Sequence, residues 1–143
     1  MKTALITGSN RGLGLEWVRQ LAREGWRVLA TCRHPGEAAD LAALADEGGQ
    51  VSVHRLDVTD GAQVAALAAL LADEPVDLLV NNAGVYFERW GKDRLGSIDY
   101  GDWEETFRVN VLGAVRVTEA LSGSLARSEA GLVVAVSSHM GCV

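Results

Sequence analysis

With 143 residues, 48% of them hydrophobic and 22% charged, the chain fits one domain by length and has a globular rather than a disordered or collagen-like composition. The net charge of -6, with no basic block or stripe, argues against a nucleic-acid partner. Two cysteines without metal-like spacing argue against a disulfide framework or a metal site, no apolar run nears the roughly 20 residues that span a bilayer, and no charged leader precedes an apolar signal core, so the expected setting is cytoplasmic, away from membranes.

Strand-like and helix-like segments alternate from the first residues. Thr3–Thr7 is short, apolar and β-branched and runs into glycine, which predicts a first strand. Leu13, Trp17, Val18 and Leu21 then recur at helical spacing, and Gly25 stops that helix. Arg27–Cys32 reads as a second strand, Glu37–Glu47 as a helix closed by Gly48-Gly49, and Val51–Leu56 as a third strand with alternating apolar residues. Asp60–Ala72 is a helix rich in alanine and leucine, with Val64, Leu67 and Leu71 on one face. Pro75 breaks the pattern, Val76–Val80 is a fourth strand, and Gly84–Gly101 is irregular. Asp102 is placed to cap a long helix running to about Arg127, and Leu132–Val136 is a fifth strand. The βαβαβαβαβ alternation, with nearly continuous apolar strands, predicts an α/β fold. Its doubly wound parallel sheet takes the order 3-2-1-4-5, with helices on both faces.

The first strand leads into Thr7-Gly8-Ser9-Asn10-Arg11-Gly12-Leu13-Gly14. Gly8 permits a tight turn, Gly12 lets the backbone approach a pyrophosphate, and Gly14 lets the helix pack on the strand. The helix behind them offers free N–H groups and the positive end of its dipole. The alternative is an ordinary glycine-rich turn, but this one follows a strand and opens an amphipathic helix. The chain therefore reads as a single Rossmann-like dinucleotide-binding domain over residues 1–143.

The spacing differs from G-x-G-x-x-G and resembles the T-G-x-x-x-G-x-G turn of the short-chain dehydrogenases/reductases. Four later segments resemble that family in order and spacing. Asp57-Val58 follows the third strand, where the family contacts adenine. Asn81-Asn82-Ala83-Gly84 follows the fourth strand and is similar to N-N-A-G. Asn110 is similar to the family's structural and catalytic asparagine, and Ser138, three before Gly141, to its catalytic serine. The Ser9–Gly14 turn with Asp99-Tyr100 looks most like the carbonyl reductases similar to the sniffer and C-factor proteins. The resemblance implies hydride transfer between a nicotinamide and a small carbonyl or alcohol substrate. It also implies a homo-oligomer, dimer or tetramer, pairing through the helix that holds Asn110.

Cofactor choice is read from the end of the second strand. An acid there would bind the ribose 2′-hydroxyl of NAD(H). Here the strand ends in Cys32, with Arg33 next. A guanidinium suits a 2′-phosphate by charge and bidentate geometry, and Arg11 could add a second cation. The expectation is NADP(H) rather than NAD(H), against the alternative that both arginines are solvated surface charges.

In the family, serine polarises the carbonyl, tyrosine donates the proton, lysine lowers the tyrosine pKa and asparagine holds a relay water. Asn110 and Ser138 match two of the four. The Y-x-x-x-K pair is not matched: neither Tyr86 nor Tyr100 has a lysine four residues later. The expectation is a domain incomplete at its C-terminus, lacking the family's later strands and helices, with the fifth strand's edge bare and the chain inactive alone. A non-catalytic dinucleotide-binding module and a non-functional truncation product stay open as alternatives. Phe87 and Trp90 in the 85–100 loop favour an apolar or aromatic carbonyl, and His139 stands beside the serine.

Overall fold

A computed structural model describes residues 1–87 and 94–138. Its strands are β1 (Thr3–Ile6), β2 (Arg27–Cys32), β3 (Val51–Arg55), β4 (Leu78–Asn81) and β5 (Leu132–Ala135). All pair in parallel, in the spatial order β3-β2-β1-β4-β5 that the alternation predicts.

Side chains along a strand alternate between faces, and β1 shows the consequence. Ala4 and Ile6 pack with Val28, Ala30 and Val80 against Leu15, Val18 and Leu21 of α1 (Gly12–Arg23) and Leu41 of α2 (Ala39–Asp46). Leu5 faces the other way, with Leu29 and Leu79. It meets Val64 and Leu67 of α3 (Gly61–Leu70), and Val117 and Leu121 beyond them. Each fully buried leucine contributes about 1.5–3 kcal/mol before ordering entropy is set against it. Two cores on one sheet hold the strand ends, and hence the loops leaving them, in fixed register.

The amino ends of the strands are tied by Asp77. Its Oδ2 accepts from the Thr3 amide at 2.7 Å and its Oδ1 from the Ser128 hydroxyl at 2.6 Å. β5 pairs with β4 alone among the described residues, and Leu132 and Val133 are 56% and 41% exposed.

The helix expected from Asp102 to Arg127 differs in two respects. Its cap is Asp99, not Asp102. Asp99 has the extended backbone a cap requires, and its Oδ1 accepts from the amides of Gly101 and Asp102. Asp102 lies inside the first turn, where its charge complements the helix dipole. Nor is the helix continuous. α4 (Tyr100–Phe107) passes into a π segment (Arg108–Gly113), then α5 (Ala114–Ala120) and α6 (Ser122–Arg127). Each π turn takes up an additional residue, and such insertions recur near functional sites. The helix expected from Glu37 is likewise split, because Pro35 opens a 3-10 turn (Pro35–Glu37) before α2. Trp90, His139, Gly141 and Cys142 lie outside the described residues.

Candidate functional site

The carboxyl ends of the parallel strands meet along one edge, where the loops leaving β1 and β4 lie side by side. Thr7 sits between them. Its amide donates to the Val80 carbonyl oxygen at 3.0 Å, and its Oγ1 accepts from the amides of Asn82 and Ala83, each at 3.0 Å. Asn82 Nδ2 returns the connection by donating to the carbonyl oxygens of Thr7 and Gly8, both at 3.0 Å. The glycines follow from this closeness. Gly8 has φ +67°, and a Cβ there would stand 2.9 Å from Ala83 Cα. A Cβ on Gly14 would collide with the Gly8 carbonyl oxygen and Asn82 Nδ2. At Gly12 a Cβ would meet nothing within 4 Å.

These loops wall a cleft of about 870 Å³, in the upper part of the range for small-molecule sites. Gly8, Asn10, Arg11, Gly12 and Leu13 line it from the first turn. Ser9 and Gly14 do not. Ser9 is fully buried, its Oγ donating to the Ile6 carbonyl oxygen at 2.8 Å and accepting from the Thr31 amide at 3.3 Å. It ties the turn to β2, and Gly14 permits the close approach, so both shape the cleft from behind.

Cys32, Arg33, His34 and Glu37 form the side wall. Burial pushes the Cys32 thiol up, against a backbone hydrogen bond at His34, so the sulfur is a neutral small group here. Arg33 and Arg11 are exposed, and neither forms an ion pair among the described residues. Two cations thus face the cleft with their donors available to an anion.

Leu56, Asp57 and Val58 make the wall beyond β3. Burial disfavours the Asp57 carboxylate. Two hydrogen bonds from Thr59, to its Oδ1 at 2.9 and 2.7 Å, and the nearby Arg33 outweigh that and hold its carboxyl below the usual range. The Asp57 amide donates to Gln63 Oε1 at 2.9 Å, and Gln63 in turn holds the α3 cap, Asp60. A helix cap therefore orders this wall.

Asn82, Ala83 and Gly84 close the cleft from β4. The next residue is gripped by the π segment: Asn110 Nδ2 donates to the Val85 carbonyl oxygen at 2.9 Å, and its Oδ1 accepts from the Val85 amide at 2.8 Å. Both ends of the Asn110 amide are engaged, so the side chain acts here as a clamp. Ser138 is exposed, two residues past Val136, the wall residue at the end of β5.

The family model of the short chain dehydrogenases matches residues 2–143. The chain belongs to this family. Retinol dehydrogenase 8 from Bos taurus is 37% identical over 145 residues, covering 98% of this chain and 45% of that protein. A carbonyl reductase from Pseudomonas aeruginosa PAO1, solved in complex with NADP, superposes with a TM-score of 0.83 at 28% identity, over 93% of this chain and 59% of that one. The NADPH-bound carbonyl reductase from chicken fatty liver gives 0.77 at 30% identity, over 87% and 52%. The chain thus spans about half the length of the relatives it matches.

Sequence reasoning missed several walls of the cleft. Glu37 escaped because the predicted helix began on it, whereas it closes a 3-10 turn beside the cleft. Glu105 and Val109 precede Asn110 by five residues and one. They line the cleft from the end of α4 and the start of the π segment. Glu105 is also paired with Arg108 at 3.5 Å. Among the described residues no group of three or more His, Cys, Asp or Glu could hold a metal ion, and no helix is long and apolar enough to cross a membrane.

Proposed function

We propose that the dehydrogenase binds NADP(H) in the 870 Å³ cleft and transfers hydride between its nicotinamide and a small carbonyl or alcohol substrate. The observation that carries this reading is one cleft lined both by the glycine turn Gly8–Gly12 and by two arginines with no ion-pair partner among the described residues, Arg11 and Arg33. The residues fit the group. Gly12 leaves room for a diphosphate at the start of α1, where unpaired amides and the helix dipole favour an anion. Arg33, with Arg11 lining the same cleft, would take the 2′-phosphate. Two neighbouring structures were solved with NADP or NADPH bound, which supports the same cofactor here.

The bound nicotinamide supplies the hydride. Ser138 would donate a hydrogen bond to the carbonyl oxygen and polarise it. Asn82–Gly84, clamped through Val85 to Asn110, would keep the wall beside the reacting ring fixed. A serine hydroxyl releases no proton at neutral pH, and neither Tyr86 nor Tyr100 has a lysine at the fourth position on. These 143 residues therefore account for binding and polarisation, and proton donation requires a further acid. An apolar carbonyl substrate is favoured, because Phe87 lies just beyond the Val85 clamp and is 40% exposed.

Trp103, Phe107, Val111 and Val115 form an exposed apolar stripe along α4, the π segment and α5, which supports self-association through that helix.

Titration calorimetry tests the cofactor assignment. Arg33→Asp should weaken NADPH binding more than tenfold and leave NADH binding unchanged. Equal losses for both dinucleotides, or wild-type protein that binds neither, would rule it out.

A further inference from the structure

Among the walls of the cleft, the one formed by Asp57 and Val58 is held from a helix distant in sequence. The hold comes from the helix side. Gly113, the last residue of the π segment, is buried, and a Cβ there would stand 2.5 Å from Val58 Cγ2 and 3.0 Å from Val58 Cβ. Three residues on, Arg116 Nη1 donates to the Val58 carbonyl oxygen at 3.0 Å, bridging 58 positions of sequence. Arg116 is half-buried and in no ion pair among the described residues. Its guanidinium caps a carbonyl in the wall of the cleft, a group that costs free energy when it is left without a donor. The backbone on the other side of Val58 is pinned by Thr59 and Gln63 acting on Asp57. Val58 is therefore held from both directions, by Arg116 of α5 on one side and through Asp57 by Gln63 of α3 on the other.

We propose that Arg116 is a positioning residue for the adenosine half of the dinucleotide. It fixes the Val58 backbone against Gly113 and so sets the depth of the cleft at that end. This rests on the NADP(H) reading above. The same helical run also pins Val85, through Asn110, so the π segment and the first turn of α5 together hold two walls of one site. A wall already in its bound position spares the ligand the cost of ordering it, and losing that preorganisation shows as weaker binding of whichever part of the ligand touches the wall.

The test uses the purified protein, with NADPH and 2′,5′-ADP as probes, at a temperature far below unfolding. Arg116→Met keeps the apolar stem and removes the donors. It should weaken 2′,5′-ADP and NADPH by the same factor, about five- to tenfold. Arg116→Lys, which keeps a donor on a stem of similar length, should recover at least half of that loss on a logarithmic scale. Gly113→Ala, pressing on Val58 with Arg116 intact, should weaken the same two ligands, and it provides the reading if Arg116→Met does not fold. Leu41→Ala, in the opposite core, should lower the melting temperature and leave both affinities unchanged. Wild-type affinities in Arg116→Met, or in Gly113→Ala where that is the variant read, would overturn the proposal. So would a loss in Leu41→Ala equal to that in the variant read, since the effect would then be one of stability. Wild-type protein that binds neither probe would overturn the underlying NADP(H) reading instead, and this inference with it.

Discussion

Two glycines of the first turn look alike in the sequence and differ in what requires them. Gly14 is held in a close approach, with Gly8 and Asn82 where its Cβ would go. Gly12 needs only its positive φ of 55°, because its Cβ direction is open. Gly14→Ala should therefore cost about 1–3 kcal/mol through displaced backbone, and Gly12→Ala about 1 kcal/mol of conformational strain. Urea unfolding of the two variants measures the difference, and equal costs would show that crowding is not what demands the glycine at 14. The turn was legible because glycine spacing records where a backbone comes close to something else. Ser9 reads as a ligand contact in the motif yet is a buried tie to Thr31, because the sequence does not say which way a hydroxyl faces. Glu37 was illegible for the opposite reason: nothing marks an acid as cleft-facing until the chain's path after Arg33 is known.

The strands were legible as elements because a run buried on both faces needs no polar alternation, and β1, β2 and β4 are such runs. The long helix was legible only in extent. The π segment carries no composition of its own; its contacts are distant in sequence, at Val85 and Val58, and both appear only once the loops are in place. Asp77 is likewise a loop acid in the sequence and a junction in the fold. Hydrogen bonds from Ser128 and from the Thr3 amide, in that order, hold its carboxyl below the ordinary value, helped by Lys2 and the amino terminus against a small opposing effect of burial. A carboxyl depressed in the folded state stabilises the protein above its unfolded pKa and loses that contribution as pH falls through the folded one. Asp77→Asn should thus melt lower than wild type near neutral pH, by about 3 °C. The gap should shrink steadily below about pH 4, the ordinary carboxylate value. A gap independent of pH in calorimetric scans would assign the effect to lost packing instead.

At the scale of the molecule, the parallel order followed from alternation and handedness alone, and the pairing registers did not, because they depend on which apolar residues of α1, α3 and α5 meet across the sheet. The outward stripe on α4 and α5 was likewise hidden in what read as one long helix. If that stripe is a contact between copies, Phe107→Glu with Val115→Glu should shift the sedimenting species toward monomer without changing NADPH affinity, since neither residue lines the cleft. A wild-type protein that is already monomeric at the same concentration would exclude the contact. The stitching of Thr7 to Asn82 has a practical consequence for anyone exchanging cofactor loops between homologues. Transplanting the segment after β1 alone would set foreign backbone against Ala83 and remove the acceptors that Asn82 needs. A successful chimera must carry the two segments together, as a matched pair from one parent.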